Sequence, residues 1–264
     1  MEQLVNKLMA QGQVNQAETP VQTLVESEPI EAWVLKKVFK IASIVDASVT
    51  VIPRDGGARF EALSNDRIAL VAVDVDWFKP PYGFIIDAYD VGKIMRGLPW
   101  SRLIVRMLIN GRSFSIRSVD GAINATVDIV EKLEGIMDGV LENFKKGVKA
   151  VMRVDAYRLL SWFKPFAVVG DARAHFKMMF NGFMVNALNE DALLMLDVKG
   201  ALIDYESDNI FEVNYYLGYI VPFLEEVRRN GNVTVTIAQG KPMVIEATLE
   251  RGIVARIAQA PMVE

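Results

Sequence analysis

Hydrophobic and polar residues alternate along this chain with two different periods, and the two periods follow each other in a repeating order. Over residues 31–45 the apolar side chains recur every three or four positions, which predicts an amphipathic helix. Residues 48–52 and 59–63 then alternate with a period of two, and Asp-Gly-Gly at 55–57 predicts a hairpin turn between them. A third strand is predicted over residues 68–75. The pattern therefore describes a helix followed by an antiparallel hairpin.

The same unit of helix and hairpin recurs three more times. Helices are predicted over residues 89–98, 155–170 and 214–229, and each precedes two alternating runs with a glycine turn between them. The first and third turns are about as far apart as the second and fourth, so the chain divides into two similar halves. We therefore predict an α+β fold with two duplicated domains of helices and antiparallel sheet. The four turn glycines are Gly56, Gly111, Gly182 and Gly240.

Composition along the chain predicts the domain boundaries. The polar, Gln-rich residues 1–20 are expected to form an extension outside the fold, and the first domain is predicted over 21–131. Residues 132–147 mix acidic with apolar side chains and break the rhythm, so we interpret them as a connector and not as a repeat helix. Their apolar side chains are expected either to pack onto a sheet or to form a binding surface. The second domain is predicted over 148–264.

Three prolines are expected to disturb regular structure in the second half. Pro165 and Pro222 fall within the predicted third and fourth helices, where a proline removes a backbone hydrogen bond and bends or ends the helix. Pro261 pairs poorly in a sheet, so residues 259–264 are predicted to lie free on the surface.

Charge is distributed unevenly over these elements. The 264 residues carry a net charge of −4, yet the helical segments 31–45, 89–97, 156–169 and 214–229 hold nine basic residues and four acidic ones. An acidic protein with basic helices can gather them around a polyanion such as DNA. The alternative is that these are ordinary solvated helix faces. The nine basic residues are Lys36, Lys37, Lys40, Lys93, Arg96, Arg158, Lys164, Arg228 and Arg229.

Little in the sequence indicates catalysis. There is no cysteine and one histidine, His175, so neither thiolate chemistry nor a zinc site is expected. Asp74 and Asp76 share a strand face and are the basis of an alternative, a metal-dependent enzyme. No phosphate-binding loop or nucleophile motif is present, so we expect no catalytic residue, no metal and no cofactor. The sequence shows no secretory signal and no apolar run long enough to span a membrane, which favours a cytoplasmic protein.

Four short segments add a more specific signal. Residues 60–75 read Phe-Glu-Ala-Leu-Ser-Asn-Asp-Arg-Ile-Ala-Leu-Val-Ala-Val-Asp-Val, and residues 35–37 read Leu-Lys-Lys. Residues 91–96 read Val-Gly-Lys-Ile-Met-Arg, and residues 259–264 read Gln-Ala-Pro-Met-Val-Glu. In this order, the four segments resemble the sliding-clamp family of proliferating cell nuclear antigen (PCNA). The absence of cysteine and of a nuclear signal favours an archaeal member.

The resemblance implies a DNA clamp fold that closes into a ring, usually a trimer, with helices lining a central hole around duplex DNA. It implies a processivity factor for DNA replication and DNA repair that has no catalysis of its own. Matched positions give a DNA-facing role to five of the basic residues, Lys36, Lys37, Lys93, Arg96 and Lys164. The other four, Lys40, Arg158, Arg228 and Arg229, are added on charge and placement.

The resemblance also implies a pocket between the connector and the carboxyl tail. DNA polymerase, flap endonuclease, DNA ligase and the clamp loader are expected to dock there through a short Gln-x-x-aliphatic-x-x-aromatic-aromatic peptide. The expected pocket residues are Leu63, Leu70, Ile136, Met137, Pro242, Ala258, Ala260 and Pro261.

Ring closure is expected to pair the edge at 122–130 with the edge at 191–198 of a neighbouring chain, as a homotrimer or a heterotrimer.

The chain departs from the family pattern at the predicted pocket. Leu63-Ser64 stands where Met-Asp is usual, and Ala258 stands where a tyrosine is common. These departures favour an alternative, a clamp-like ring subunit specialised for damage signalling or for one partner.

Overall fold

The computed structural model describes residues 24–97, 104–110, 112–131, 135–143, 149–168, 172–188, 193–197, 204–207 and 209–262. The predicted extension over 1–20 lies outside these residues. The helices within them are α1 Ala32–Ala42, α2 Ala88–Gly97, α3 Met137–Asn143, α4 Ala156–Val168 and α5 Ile220–Val227. The strands are β1 Val25–Glu26, β2 Ile30–Glu31, β3 Ser48–Arg54, β4 Gly57–Leu63, β5 Ala69–Val75, β6 Phe84–Asp87, β7 Ile104–Asn110, β8 Ser113–Ser118, β9 Asn124–Asp128, β10 Val130–Glu131, β11 Lys149–Asp155, β12 Arg173–Met179, β13 Gly182–Leu188, β14 Leu193–Asp197, β15 Asp204–Ser207, β16 Phe211–Tyr216, β17 Asn232–Ala238, β18 Met243–Thr248 and β19 Val254–Gln259.

A ten-stranded antiparallel sheet runs through the centre of the chain. Its strands follow the order β10-β6-β3-β4-β5-β19-β18-β17-β11-β15, so five strands come from each half of the sequence. The pairing of β5 with β19 joins the two halves, with Ala69 opposite Gln259 and Asp74 opposite Val254. Two smaller sheets have the orders β1-β7-β8-β9, with β2 also on β7, and β14-β13-β12-β16.

Four helices lie on one face of the large sheet, which we call the inner face. Helix α1 contacts α2 on one side and α5 on the other, and α5 contacts α4, so the four form a row. Helix α1 packs against β4 and β5, and the stripe predicted from its periodicity, including Val34, Val38 and Ile41, is fully buried. Aromatic rings fill the space between helices and sheet, with Phe39 edge-on to Phe60 at 5.3 Å between centroids.

Three of the four repeat helices lie where the periodicity predicts them, as α1, α2 and α4. The predicted helix over 214–229 is wrong in its first part, because residues up to Tyr216 belong to β16 and α5 begins at Ile220. Phe211, Val213 and Tyr215 alternate with more exposed residues and face the core, as a period of two requires. Alternation that starts before residue 214 overrides the helix-like spacing after it.

Neither helix proline ends its helix. Pro222 is the third residue of α5, in the first turn, where backbone N–H groups have no partner within the helix. Pro165 lies inside α4, which continues to Val168. Pro165 is exposed while Phe163 and Phe166 are buried, so packing of the apolar side holds the turn that the missing N–H group weakens.

The carboxyl tail does not lie free, contrary to the prediction from Pro261. Gln259 is a fully buried residue of β19, and its side-chain amide donates to the Ile68 carbonyl at 3.0 Å. The Ala260 N–H donates to the same carbonyl at 2.7 Å, and the Met262 N–H donates to the Asn214 carbonyl at 2.8 Å. Pro261, which has no N–H to lose, forms an isolated bridge opposite Tyr215. The tail therefore ties the first half to β16.

Truncation tests this docking. We expect a chain that ends at Ala258 to lose these three hydrogen bonds together with the pairing of Gln259 with Ala69 and Met243. The three hydrogen bonds alone, each worth about 1 kcal/mol net, should lower the melting temperature by about 6–12 °C. A chain that ends at Met262 keeps these bonds and is the matched control. Scanning calorimetry of the three proteins gives the comparison, and equal melting temperatures for all three would show that the tail adds no stability.

Candidate functional site

The face of the large sheet opposite the helix row, here called the outer face, carries a patterned set of side chains. Register aligns Leu63 of β4, Leu70 of β5, Ala258 of β19 and Val244 of β18 in one row across four strands. Because side chains alternate between faces, this apolar row lies opposite the core of the helix side. A protein rarely leaves such a row bare, so the chain needs something to cover it.

Helix α3, inside the predicted connector, covers this row. Met137 is fully buried and forms one cluster with Leu70, Ala72, Val244 and Ala258. Leu63 packs against the same cluster from the sheet, and Val140 and Leu141 pack against it from α3. The connector residues therefore pack onto the sheet, which is one of the two expected outcomes, and they do so as a helix of seven residues.

Charged side chains next to the apolar cluster hold the amino end of α3. The Glu61 carboxylate accepts hydrogen bonds from the N–H groups of Ile136, at 2.8 Å, and Met137, at 3.2 Å. These N–H groups begin the helix and have no partner within it, so a carboxylate placed there acts as a cap. The Asp138 carboxylate accepts from the Arg59 Nη1 at 2.8 Å and also pairs with Arg54.

The ion pairs continue along the outer face. Arg59 also donates from Nε to Asp74 at 2.6 Å, and Arg256 bridges Asp74 and Glu246, with 2.6 Å between its Nε and the Glu246 carboxylate. Burial would lower the pKa of Arg59, but the hydrogen bonds that it donates to Asp74 and Asp138 outweigh burial and raise the pKa. Asp74 thus lies between two guanidinium groups, which occupy the oxygens that a metal ion would need.

The structure brings together part of the predicted partner pocket. Of the eight expected residues, Leu63, Leu70, Met137 and Ala258 meet in the apolar cluster. Ile136 directly precedes Met137 in the sequence, but its side chain is 42% exposed. The remaining residues lie elsewhere: Ala260 and Pro261 line a neighbouring cavity with Ile68, Tyr216 and Tyr219, and Pro242 precedes β18, half-buried.

Sequence reasoning missed four members of the cluster, Ala72, Val244, Val140 and Leu141. Ala72 is two residues after Leu70 on the same strand, so period-two alternation places the two on one face. The same reasoning links Val244 to Pro242, which was expected in the pocket. The spacing of Met137, Val140 and Leu141 is that of one helix face, a signal for a helix inside the predicted connector.

Seven of the basic residues predicted to face DNA are on the row of four helices, and Arg228 and Arg229 directly follow α5. Of all nine, seven are exposed, and Lys37 and Arg228 are half-buried. Several pair with acceptors on the row or at its edge: Lys40 lies 2.6 Å from Glu226, Lys164 lies 3.2 Å from Glu225, and Lys93 lies 2.8 Å from Asp90. Such exposed pairs are weak and exchange readily for other partners. The seven exposed residues are Lys36, Lys40, Lys93, Arg96, Arg158, Lys164 and Arg229.

Lys37 differs from the other basic residues of the row. Its ammonium group donates to the Asn230 side chain at 2.7 Å. Burial lowers its pKa, and the nearby carboxylates of Glu250 and Glu226 only partly oppose this. The position joins α1 to the segment after α5, so Lys37 supports the packing of the helix row in addition to its charge.

The other polar candidates lie apart from both surfaces. His175 is on β12, where its Nδ1 lies 2.7 Å from the Asn214 Oδ1 and its Nε2 lies 3.6 Å from Glu212. Asp76 is an exposed residue just after β5. Among the described residues there is no group of three or more histidine or acidic side chains that could hold a metal, and no helix long and apolar enough to cross a membrane.

Comparison with solved structures shows which architecture this is. PCNA from Entamoeba histolytica superposes with a TM-score of 0.74 at 15% identity, over 91% of this chain and 98% of that chain. A. fulgidus PCNA, solved with the C-terminal region of FEN-1, gives 0.74 at 13% identity, over 91% and 99%. The PCNA2–PCNA3 complex from Sulfolobus tokodaii gives 0.71 at 13% identity, over 92% and 100%. The chain has the sliding-clamp fold.

The comparisons confirm the predicted fold class, a duplicated arrangement of helices and antiparallel sheets, over about nine tenths of the chain. No family model and no curated protein matches the sequence. At identities of 13–15% the comparisons show a shared fold and no more. The chemistry of the inner and outer faces of the large sheet therefore follows from this chain's own residues and not from the comparisons. The domain boundaries at 131 and 148 stay predictions.

Acid titration tests how α3 is held on this clamp fold. Burial would raise the pKa of Asp138, but hydrogen bonds from Arg59 and Arg54 and their positive charge outweigh it, so the pKa is lowered from 3.8. A lowered pKa in the folded state means that the carboxylate stabilises the protein above pH 3.8 and loses this effect as the pH falls further.

We therefore expect Asp138→Asn to reduce the free energy of unfolding at pH 7 by up to about 1 kcal/mol, since the Asp138 side chain is half exposed. The difference between the two proteins should be smaller at pH 3 than at pH 7, because the carboxylate begins to protonate as the pH falls below 3.8. Urea unfolding of both proteins at the two pH values measures it. A difference that persists unchanged at pH 3 would mean that the ion pairs of Asp138 do not hold α3.

Proposed function

We propose that this chain is a DNA sliding clamp, a processivity factor that encircles duplex DNA and tethers replication and repair enzymes without catalysis of its own. The observation that carries the proposal is the row of four helices, rich in exposed basic residues, on one face of a protein with a net charge of −4 and the clamp fold. DNA backbones carry dense phosphate charge that such a row can follow without reading bases.

The nine basic residues named from the sequence are the proposed DNA-facing set. Lys36 and Arg96 are exposed, and neither belongs to the ion pairs described for Lys40, Lys93 and Lys164. Lys93 and Arg96 flank the exposed Tyr89, with the Lys93 ammonium 4.2 Å from the centre of its ring. Together with Lys36, this pair puts exposed positive charge on both α1 and α2.

Removing this charge should weaken DNA association. We expect the triple variant Lys36→Ala, Lys93→Ala, Arg96→Ala to fold normally and to bind or slide on DNA less well. For each phosphate that the variant no longer neutralises, the slope of log affinity against log salt should become shallower by about 0.9. Affinity for duplex DNA at several salt concentrations measures both effects.

The matched control removes three arginines from exposed strand and turn positions, Arg112, Arg117 and Arg153. It lowers the net charge by the same amount, so a protein that responds only to total charge would lose as much affinity in the control as in the helix variant. That outcome would remove the helix row from the DNA surface.

Ring closure is proposed to use two strands that lie at the ends of their sheets within the described part of the chain. Strand β9 is the last strand of one small sheet and β14 is the last strand of the other. An open edge tends to pair with another strand, and pairing β9 of one chain with β14 of the next would repeat head to tail until the ring closes. The proposed assembly is a homotrimer or a heterotrimer, and the PCNA2–PCNA3 complex is an example of two different clamp subunits together.

The direction of the backbone N–H groups in β9 makes this testable. The Ile129 N–H donates to the Arg112 carbonyl, and the Ser118 N–H donates to the Ile123 carbonyl. Residues 123 and 129, on either side of β9, are therefore positions that hydrogen-bond towards β8. In an antiparallel pair such positions alternate, so the N–H of Thr126 points away from β8 towards the open edge.

We expect Thr126→Pro to block ring assembly while leaving β9 paired to β8, because an edge strand tolerates proline where its N–H faces outward. Thr126→Val removes the same hydroxyl hydrogen bond with Ser115 but keeps the N–H, so it should assemble as the unchanged chain does. Mass measurement at several concentrations, with the chain alone and with any sister subunit, compares them. Equal assembly of both variants would exclude this edge.

The outer face is the proposed docking site for partner enzymes. In the A. fulgidus structure a PCNA binds the C-terminal region of FEN-1. We propose that a flap endonuclease, DNA polymerase, DNA ligase and clamp loader dock short peptides on this chain near Leu63, Leu70, Met137 and Ala258. Ile136, Pro242, Ala260 and Pro261 remain proposed members of this site at its margins.

A second candidate is a ring subunit specialised for damage signalling or for one partner. The observation that favours it is the covered state of the apolar row, where α3 fills the space that a general docking site would leave open. The metal-dependent enzyme is not favoured, since Arg59 and Arg256 hold Asp74. An archaeal source and a cytoplasmic location near DNA stay proposals from the sequence.

A further inference from the structure

Helix α3 occupies the surface on which the proposed function places partner peptides. We propose that α3 is an intramolecular latch: it fills the docking surface through Met137 and Asp138, and a partner peptide binds by displacing it. This inference rests on the proposed function, because it concerns how access to the partner site is regulated.

Met137 supports this proposal by its position. Its side chain is fully buried against Leu70, Ala72, Val244 and Ala258, so the apolar row that would receive a partner's anchor already has an occupant. Methionine is flexible and fills irregular spaces at adaptable binding surfaces, which suits an occupant that another apolar side chain replaces.

Few contacts other than this apolar surface keep α3 in place. The helix has seven residues, includes Gly139, and is too short to be stable by itself. Its amino end depends on the Glu61 carboxylate and on the pairs of Asp138 with Arg59 and Arg54. Without these polar contacts, only the apolar cluster holds the helix on the sheet.

The backbone at Gly135, just before α3, fits closely against the sheet. A Cβ atom at Gly135 would lie 2.4 Å from the Ile52 Cδ1 and 3.2 Å from the Glu61 Oε1. Glycine lets the backbone pass close enough to Glu61 for two N–H groups to reach its carboxylate. The sequence therefore fits this conformation locally, as expected for a specified closed state.

The contacts of the latch define the chemistry of its competitor. Glu61 and Arg59 are each 3% exposed, so the departure of α3 would leave a buried carboxylate without its two N–H donors and Arg59 without one of its carboxylates. Leaving such groups unpaired is costly. The best competitor is a peptide that begins a helical turn with free N–H groups and carries an apolar anchor followed by an acidic residue.

The test uses Asp138→Asn in the full chain, which weakens the latch without altering the sheet. The control is Glu142→Gln, which removes one negative charge at an exposed position of the same helix. The probe is a synthetic peptide with the Gln-x-x-aliphatic-x-x-aromatic-aromatic motif and an acidic residue after its aliphatic anchor. Hydrogen–deuterium exchange of residues 135–143 and the Kd of the peptide are measured for all three proteins.

We expect exchange over 135–143 to be faster in Asp138→Asn than in the other two proteins, and the peptide to bind it about fivefold more tightly, because a larger fraction of the protein is open. Adding the peptide to the unchanged chain should accelerate exchange over 135–143. Equal or weaker affinity in Asp138→Asn, or protection of 135–143 by the peptide, would show that α3 is a wall of the site and overturn the latch.

Failure of the proposed function gives a different result. If the peptide binds none of the three proteins, the partner site itself is excluded and the latch with it. DNA association by the helix row is independent of both outcomes, because its residues lie on the opposite face of the sheet.

Discussion

The pairing of β5 with β19 is the interaction on which the rest of this structure depends. Six residue pairs join a strand of the first half to the last strand of the chain and turn two five-stranded sheets into one. Without this pairing, two central strands lined with buried apolar residues would be open edges, which are prone to pair with other chains. The tail extends the same connection, since Ala260 bonds to Ile68 and Met262 bonds to Asn214.

The register of that pairing places both proposed functional surfaces. With Ala258 opposite Leu70, the apolar row faces outward and Val71 and Ile257 face the helices. A slip of one residue would exchange the two faces and destroy both the core under α1 and the cluster under α3. The proposed DNA-facing helices and the proposed docking surface are therefore two sides of one sheet. Ion pairs through Arg59 and Arg256 fill the outer face where the apolar row ends.

Local patterns predicted what local forces decide. The stripe of Val34, Val38 and Ile41 predicted α1, and glycine turns predicted the hairpins, with Gly56 and Gly240 at the positive φ values that such turns require. The error at 214–216 arose where apolar residues fit both periods, and burial of Phe211 and Val213 in the preceding positions decided for a strand.

Long-range contacts could not be predicted in the same way. Arg59 and Asp138 are 79 positions apart, and nothing in either segment alone shows that they meet. Leu63, Leu70, Met137 and Ala258 were expected to meet only because the sequence resembles sliding clamps. The free tail was a wrong prediction because proline was judged by strand pairing alone, whereas the residues on either side of Pro261 supply the N–H groups that dock the tail.

The proposal that this chain encircles DNA can be tested by a topological experiment. Rings are assembled on closed circular duplex DNA by mixing at a concentration low enough to separate the subunits and then concentrating, with any sister subunit present. Free protein is removed in high salt, which screens phosphate contacts. Protein that forms a closed ring around DNA should stay on intact circles and be released when a restriction enzyme linearises them. Equal release before and after linearisation would contradict a ring around DNA and indicate simple surface binding.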